Sequence, residues 1–470
     1  MTTEHLIVFS VPGLRVTDVD ASTTPTLHRW AKSGGVTELA PTFPCVTSPV
    51  QASMLTGTPP REHGVISNGF YHRDRDEVEF WVAHHDVVAG EPVWDVLKRR
   101  RPGFTTAVWH YQNIKGATAD FIITPAPIHE PDGTTKLWCY SKPDGLYAEL
   151  LADLGHFPLQ HYWGPLSNIE STRWILRGAR RLIERNAPNL HLIYLPHLDY
   201  AGQKSGPDSP QARTALVELD AELASFAEFV GASRIGASAA FLVAGEYAMT
   251  AVSGVVHPNR LLRQAGLLAV REEGGAEHVD LGASRAFAMV DHQFAHVYVK
   301  PSNASATSDR SAAGDGGASE SDIERVAEVF RGVAGVADVC AGRRRADLGL
   351  DHPRSGEIVL VAREDSWFAY PWWLDDRAAP AFARSVDIHR KPGYDPVELF
   401  FDPATRGIPL DATLVKGSHG APPVSDRQRS ALVLSSDPPA GVRFDSPLRD
   451  TDVKRLILAL LTNERGRDGR

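Results

Sequence analysis

Thr47 stands between an apolar entry (Phe43, Pro44, Val46) and a stretch that reads as a helix, Ser48 to Leu55. Pro49 suits the first turn of that helix, where a missing N–H goes unneeded. A hydroxyl at this place faces free backbone N–H groups and the positive end of the helix dipole, a natural seat for a phosphate. The same residues would also serve as a plain N-cap, with Thr47 or Ser48 closing the helix and nothing more. A second candidate is Asp199, which follows the apolar run Leu190–Leu195 and the bend Pro196-His197-Leu198. In an open α/β sheet, ligands sit beyond the carboxyl ends of such strands. His197 reads either as a packed, hydrogen-bonded histidine or as a ligand. Asp291, His292 and His296 form a third group. The four-residue spacing of the two histidines puts both rings on one face of a helix or of a strand, which is a metal-site pattern. His389, Arg390 and Lys391 could clamp an anion, or they could form a solvated turn.

These groups need elements to hold them. Leu6–Val11 is a continuous apolar run that suits a central parallel strand, and it ends in a Pro12-Gly13 turn at the carboxyl edge. A helix from Thr24-Pro25 to Gly34-Gly35 and a strand Val36–Ala40 lead into the Thr47 segment. Thr105–Trp109, Leu190–Leu195 and Ala239–Val243 read as further strands, and Trp174–Arg185 and Ala212–Val230 as helices. The block from Ile128 to Trp174 is rich in Pro, Tyr, Trp and His, lacks periodicity, and reads as a cap over the site. Residues 301–322 form a Ser/Ala/Gly/Asp linker with little to pack, so a flexible surface loop is expected there. Leu350–Ala362 is expected to return the chain to the core. Ser430–Ser435 and Asp450–Leu461 read as a final strand and helix.

The bulk numbers bound the answer. The chain has 470 residues, 43% hydrophobic and 23% charged, as an ordinary globular protein does. A net charge of −9 argues against a nucleic-acid polymer as partner. The N-terminal apolar run is too short for a signal peptide, and no stretch approaches a membrane span, so cytoplasmic residence is the default expectation and no membrane partner is expected. Cys45, Cys139 and Cys340 are too few and too scattered for a disulfide framework.

The segment Ala40–Asn68 resembles the nucleophile segment of the alkaline phosphatase superfamily, in its nucleotide pyrophosphatase/phosphodiesterase branch. The residues that carry the resemblance are Phe43-Pro44-Cys45-Val46-Thr47, Pro49, Thr56-Gly57, Pro60, His63-Gly64-Val65 and Asn68. Further matches are Asn259 to Leu267, the Ser355-Gly356-Glu357-Ile358 run and Gly417-Ser418-His419-Gly420. The resemblance implies that Thr47 is the nucleophile and that Asn68 hydrogen-bonds a phosphoryl oxygen. It implies one metal on Asp199, Gln203 and His419 and a second on Thr47 and Glu246. Three ligand positions depart from the pattern: Pro12 replaces an aspartate, Gln203 a histidine and Tyr247 a histidine. His197, Asp291, His292 and His296 are the candidates for replacing the lost donors.

The resulting expectation is an α/β chain with an alkaline-phosphatase-like, mostly parallel central sheet flanked by helices, a cap insertion and a small α+β subdomain. The core spans 1–125, 176–285 and 350–470; the cap spans 126–175 and the subdomain 286–349. The function implied is a metal-dependent phosphoryl-transfer hydrolase that acts on a small-molecule phosphate ester. One or two divalent ions are implied, zinc first and manganese or magnesium as alternatives. A mononuclear enzyme of mutase or isomerase type and a non-catalytic binding scaffold of the same fold are the competing readings. Oligomeric state is not legible.

Overall fold

The computed structural model describes residues 3–129, 135–302 and 317–462. Nine strands form a central sheet in the order Leu448–Arg449, Gly35–Ala40, Ser430–Leu434, Ala239–Ala244, His5–Ser10, Leu190–Tyr194, Thr106–Trp109, Phe121–Pro125 and Cys139–Lys142. Ser430–Leu434 runs antiparallel to both neighbours, and the edge strand Cys139–Lys142 runs antiparallel to Phe121–Pro125. The other pairs are parallel. The mostly parallel α/β sheet read from the sequence is therefore present.

Side-chain alternation explains why the central strands are mostly apolar on both faces. Leu6 and Val8 face one layer, with Leu192, Leu242 and the helices Thr47–Thr56, Val93–Arg100 and Asp452–Thr462. Ile7 and Phe9 face the other, with Trp30, Phe226, Phe241 and the helices Pro25–Ser33, Glu170–Arg185 and Pro210–Ala232. A strand covered on both faces is filled mainly by apolar side chains, and His191 is a polar exception inside Leu190–Tyr194.

A second sheet, antiparallel throughout, has the order Ala286–Asp291, Phe294–Val299, Ile358–Ala362, Val336–Ala341. The run ending at Ala362 thus does not rejoin the central sheet as expected. Five buried apolar residues mark Ile358–Ala362 as an inner strand but do not say of which sheet. The stretch expected as a cap also differs. It supplies the edge strand Cys139–Lys142 and the helix Leu146–Leu154, whose Leu146, Tyr147 and Leu150 pack in the layer of Phe9. Of the expected linker, residues 303–316 lie outside the described residues. No helix among the described residues is long and apolar enough to cross a membrane.

Two core histidines give the fold an acid weakness. His110 packs against Phe157, Tyr162 and Trp174, and His191 against Trp109. Neither ring nitrogen of either residue has a hydrogen-bond partner. Burial pushes both side chains down to about 3. Below the ordinary histidine range the unfolded chain takes up a proton at each site and the folded chain does not. The stability is therefore complete above about pH 6.5 and is lost as pH falls from there towards 3. At pH 5 each histidine lowers the unfolding free energy by about 2 kcal/mol. Urea denaturation of His191→Leu at pH 7 and pH 5 should show roughly half of the wild-type drop that these two residues cause.

Candidate active site at the carboxyl edge of the sheet

Thr47 is the first residue of the helix Thr47–Thr56, preceded by the extended residue Val46. All ten residues of this helix are buried, so each of its polar side chains needs a partner. Thr56 returns to the Ala52 carbonyl at 2.7 Å, Ser53 lies 3.1 Å from His63 Nε2, and Gln51 turns towards the site. At the helix mouth the Ser48 N–H donates to Asn68 Oδ1 at 2.9 Å. Pro49 has no N–H, and the Val50 N–H bonds to the Val46 carbonyl.

Asn68 is fixed from behind. Asp291 Oδ2 accepts from Asn68 N at 2.9 Å and Ser67 Oγ at 2.8 Å, and Oδ1 accepts from Asn68 Nδ2 at 3.2 Å and lies 2.7 Å from His292 Nδ1. Asp291 therefore anchors the residue expected to contact a phosphoryl oxygen. His292 sits in the two-residue turn of the hairpin Ala286–Val299 with φ +60°.

The Thr47 hydroxyl lies 3.1 Å from the Tyr247 hydroxyl. Tyr247 OH also donates to Asp199 Oδ1 at 3.3 Å. Asp199 and Gln203 share one face of the helix His197–Ser205, and Gln203 Nε2 donates to Asp199 Oδ2 at 2.6 Å. Gln203 Oε1 in turn accepts from Tyr394 OH at 2.8 Å. A continuous chain thus runs Thr47, Tyr247, Asp199, Gln203, Tyr394. Burial raises the Asp199 carboxyl to about 6, against the opposing pull of His292, Gln203 and Tyr247.

His419 lies over this chain. Its Nδ1 faces the Cys45 carbonyl at 2.8 Å, so Nδ1 carries the proton and Nε2 is a bare acceptor. Nε2 has no hydrogen-bond partner and lies 3.7 Å from Asp199 Oδ1. The imidazole stacks on the Tyr247 ring at 3.6 Å and meets the His292 ring at 3.8 Å, while His292 stacks on Tyr394 at 3.7 Å. Burial pushes His419 well below the ordinary histidine value.

Glu246 follows Gly245 with φ +53°. A Cβ on Gly245 would come within 2.5 Å of the Leu14 carbonyl, so only glycine lets the chain turn here. Glu246 Oε1 accepts from Gln51 Nε2 at 2.8 Å and from Ser10 Oγ, and Oε2 is unpartnered. Gln51 Oε1 is fixed by the Gln112 N–H at 2.7 Å. Burial raises the Glu246 carboxyl to about 8 despite the bonds from Ser10 and Gln51.

These side chains do not fit the two-ion centre that the resemblance implies. A tight transition-metal site takes three or four protein donors. Among the described residues, no three His, Cys, Asp or Glu side chains converge as a metal-binding group. Both oxygens of Asp199 and one of Glu246 are already occupied by side-chain donors. The candidate replacements do not join Asp199 and Glu246 in such a group: His292 Nδ1 is taken by Asp291, and its ring lies between Tyr394 and His419. His197 bonds Glu218 at 2.9 Å, and His296 bonds the Ile66 carbonyl at 3.0 Å, both turned from Thr47's neighbours. Asp291 is spent on Asn68 and Ser67. The anion clamp considered at His389-Arg390-Lys391 is absent: His389 is exposed, Arg390 bonds Asp387, and Lys391 is buried between Asp395 and Glu398. Ser10, Gln51 and Tyr394 were not singled out from the sequence. Ser10 could have been, since it ends a central strand at the site edge.

A family model described as "Type I phosphodiesterase / nucleotide pyrophosphatase" matches residues 6–395. The chain belongs to this family. The family lies within the alkaline phosphatase superfamily and is metal-dependent in general. An uncharacterised pyrophosphatase/phosphodiesterase of Schizosaccharomyces pombe is 25% identical over 235 residues, covering 46% of this chain. The match spans only 38% of that relative's length. Similar solved structures include murine ectonucleotide pyrophosphatase/phosphodiesterase 5, with TM-score 0.61, 15% identity and coverage of 97% of this chain and 95% of that one. An inactive threonine-to-alanine variant of the same murine protein in complex with AMP matches with TM-score 0.59, 14% identity and coverage of 98% and 95%. Phosphonoacetate hydrolase from Sinorhizobium meliloti 1021, in complex with phosphonoformate, matches with TM-score 0.61, 16% identity and coverage of 97% and 96%. At these identities the structures establish the shared fold of a phosphodiesterase-family chain, with a large mixed sheet between helices.

Proposed function

We propose that this phosphodiesterase-family chain hydrolyses a small phosphodiester or pyrophosphate through transient phosphorylation of Thr47. Thr47 Oγ1 bonds to phosphorus as the bond from phosphorus to the leaving oxygen breaks, and that oxygen departs with the bonding pair. The Thr47 proton passes to the Tyr247 hydroxyl, whose own proton goes to Asp199 Oδ1. Water then attacks the same phosphorus, and the Thr47 oxygen leaves and regains its proton along the same path. The proton shed by the water balances the departed oxygen in solution. The observation that carries this reading is the Thr47–Tyr247–Asp199 chain at 3.1 and 3.3 Å, because a threonine hydroxyl needs a path for its proton to act as nucleophile. The inactive threonine-to-alanine variant of the murine relative, in complex with AMP, supports the choice of a threonine.

The substrate class follows from charge. Among the described residues, no lysine or arginine bonds Thr47, Asn68, Asp199, Glu246, Tyr247 or His419. A phosphate monoester brings about two negative charges at neutral pH and a diester one. A site so poor in positive charge favours the diester. Turnover of bis(4-nitrophenyl) phosphate should exceed that of 4-nitrophenyl phosphate by about tenfold or more in kcat/KM. Faster turnover of the monoester would remove the diester assignment.

The competing reading is a non-catalytic binding scaffold of the same fold. Thr47, Asp199, Tyr247 and His419 are each less than a tenth exposed. A scaffold that binds a phosphate ester without turning it over would look the same. It is distinguished by a wild type that binds the ester, turns none over, and binds it equally well as Thr47→Ala.

A further inference from the structure

We infer that the Thr47 centre holds its nucleophile without metal ions, the Tyr247 hydroxyl joining Thr47 to Asp199 by hydrogen bonds. The inference rests on the proposed function only in taking Thr47 as the reacting group. The resemblance assigns Thr47 and Asp199 to two different ions, yet one phenol oxygen lies within hydrogen-bond distance of both. The Tyr247 ring lies flat on the His419 imidazole, with an interplanar angle of 9°, so the phenol fills the space over one face of that histidine.

The other departures fall into the same pattern. A metal ion neutralises its carboxylate ligands, and here each carboxylate of the old ligand set is met by neutral donors. Asp199 takes Tyr247 OH on one oxygen and the Gln203 amide on the other. Glu246 takes Ser10 Oγ and the Gln51 amide. Gln203 itself is held by Tyr394 OH and Gln51 by the Gln112 backbone. An imidazole at position 203 could ligate, whereas a glutamine there is oriented by Tyr394 to present its N–H groups, and an N–H cannot ligate a cation. Pro12 completes the pattern, since its ring offers no donor atom, while the Gly13 N–H bonds the Tyr247 carbonyl at 3.0 Å and fixes that residue against the turn. Tyr247 and Gln203 are therefore matched substitutions at neighbouring positions.

The test is metal stoichiometry on the full chain. Purified wild type is incubated separately with zinc, manganese and magnesium, desalted, and measured by elemental mass spectrometry and thermal melting. The expected result is no stoichiometric ion and no rise in melting temperature with added metal. The variant Pro12→Asp/Gln203→His/Tyr247→His is expected to gain at least about one zinc per chain and to melt about 3 °C or more higher with zinc present. Should that variant fail to fold, Gln203→His/Tyr247→His carries the same expectation for the Asp199–His419 site. Wild type holding about one ion or more per chain, lost in His419→Ala, would overturn the inference. Variants that fold and bind no more zinc than wild type would show that Tyr247 and Gln203 are not what excludes the ion. Failure of the proposed function reads out separately, as absence of any Thr47-dependent turnover with or without added metal.

Discussion

Thr47→Ala is expected to lower kcat for a phosphodiester by about a thousandfold or more, while folding survives. The variant deletes the atom that forms the bond to phosphorus, and no neighbouring hydroxyl takes its place, because Ser48 lies one residue into the helix and Tyr247 OH already serves Asp199. The structural loss is one hydrogen bond to Tyr247 and a small void, about 1–2 kcal/mol. Steady-state kinetics with a thermal melt on the same sample checks both halves. A variant that keeps more than about a tenth of the wild-type rate would show that another group attacks phosphorus.

Lys391→Met should give the largest loss of stability, about 3–5 kcal/mol. The Lys391 ammonium lies 2.8 Å from Asp395 and 2.7 Å from Glu398, all three side chains nearly inaccessible. Removing the cation leaves two carboxylates facing each other in a buried place, which costs more than the pairing itself contributes. The same network holds the site. Trp163 Nε1 and the Asp387 N–H both donate to Glu398, Asp395 Oδ1 accepts from Val397 N, and Tyr394 lies between the paired residues. Tyr394 should therefore lose its hold on Gln203 and His292, so activity should fall even in the fraction that remains folded. Denaturant unfolding of Lys391→Met against Lys391→Met/Glu398→Gln separates the terms: the second variant removes one stranded charge and should recover part of the loss. Equal stability of wild type and Lys391→Met would show that the triad is not a structural support.

The sequence made the sheet legible where its strands are covered on both faces. Leu6–Val11, Leu190–Leu195 and Ala239–Val243 are legible as mainly apolar runs, broken only by Ser10 and His191, and each ends shortly before a site position. Edge elements were harder. Cys139–Lys142 has one buried residue in four, so it carries no pattern that separates it from a loop. Ile358–Ala362 was recognisable as an inner strand, but which sheet it joins depends on partners more than fifty residues away in the chain, Phe294–Val299. At the site, Thr47, Asn68, Asp199, Glu246 and His419 do come together around one helix mouth and one sheet edge. What spacing could not convey is direction. His292 and His296 are four apart, yet the turn at Asp291-His292-Gln293 sends the first ring to Tyr394 and His419 while the strand sends the second to the Ile66 carbonyl. Nor could composition foretell that Gln203 and Tyr247, read as weakened ligands, would join Asp199 in one hydrogen-bonded chain.

The most direct test of the central claim is the mass of the protein itself. Wild type is mixed with bis(4-nitrophenyl) phosphate in the presence of a chelator, quenched in acid within one turnover, digested, and analysed by mass spectrometry. The account predicts a 4-nitrophenyl phosphoryl group on Thr47, formed as one 4-nitrophenolate departs, and no adduct in Thr47→Ala. Steady turnover with Thr47 unmodified, or an adduct on any other residue, would contradict it.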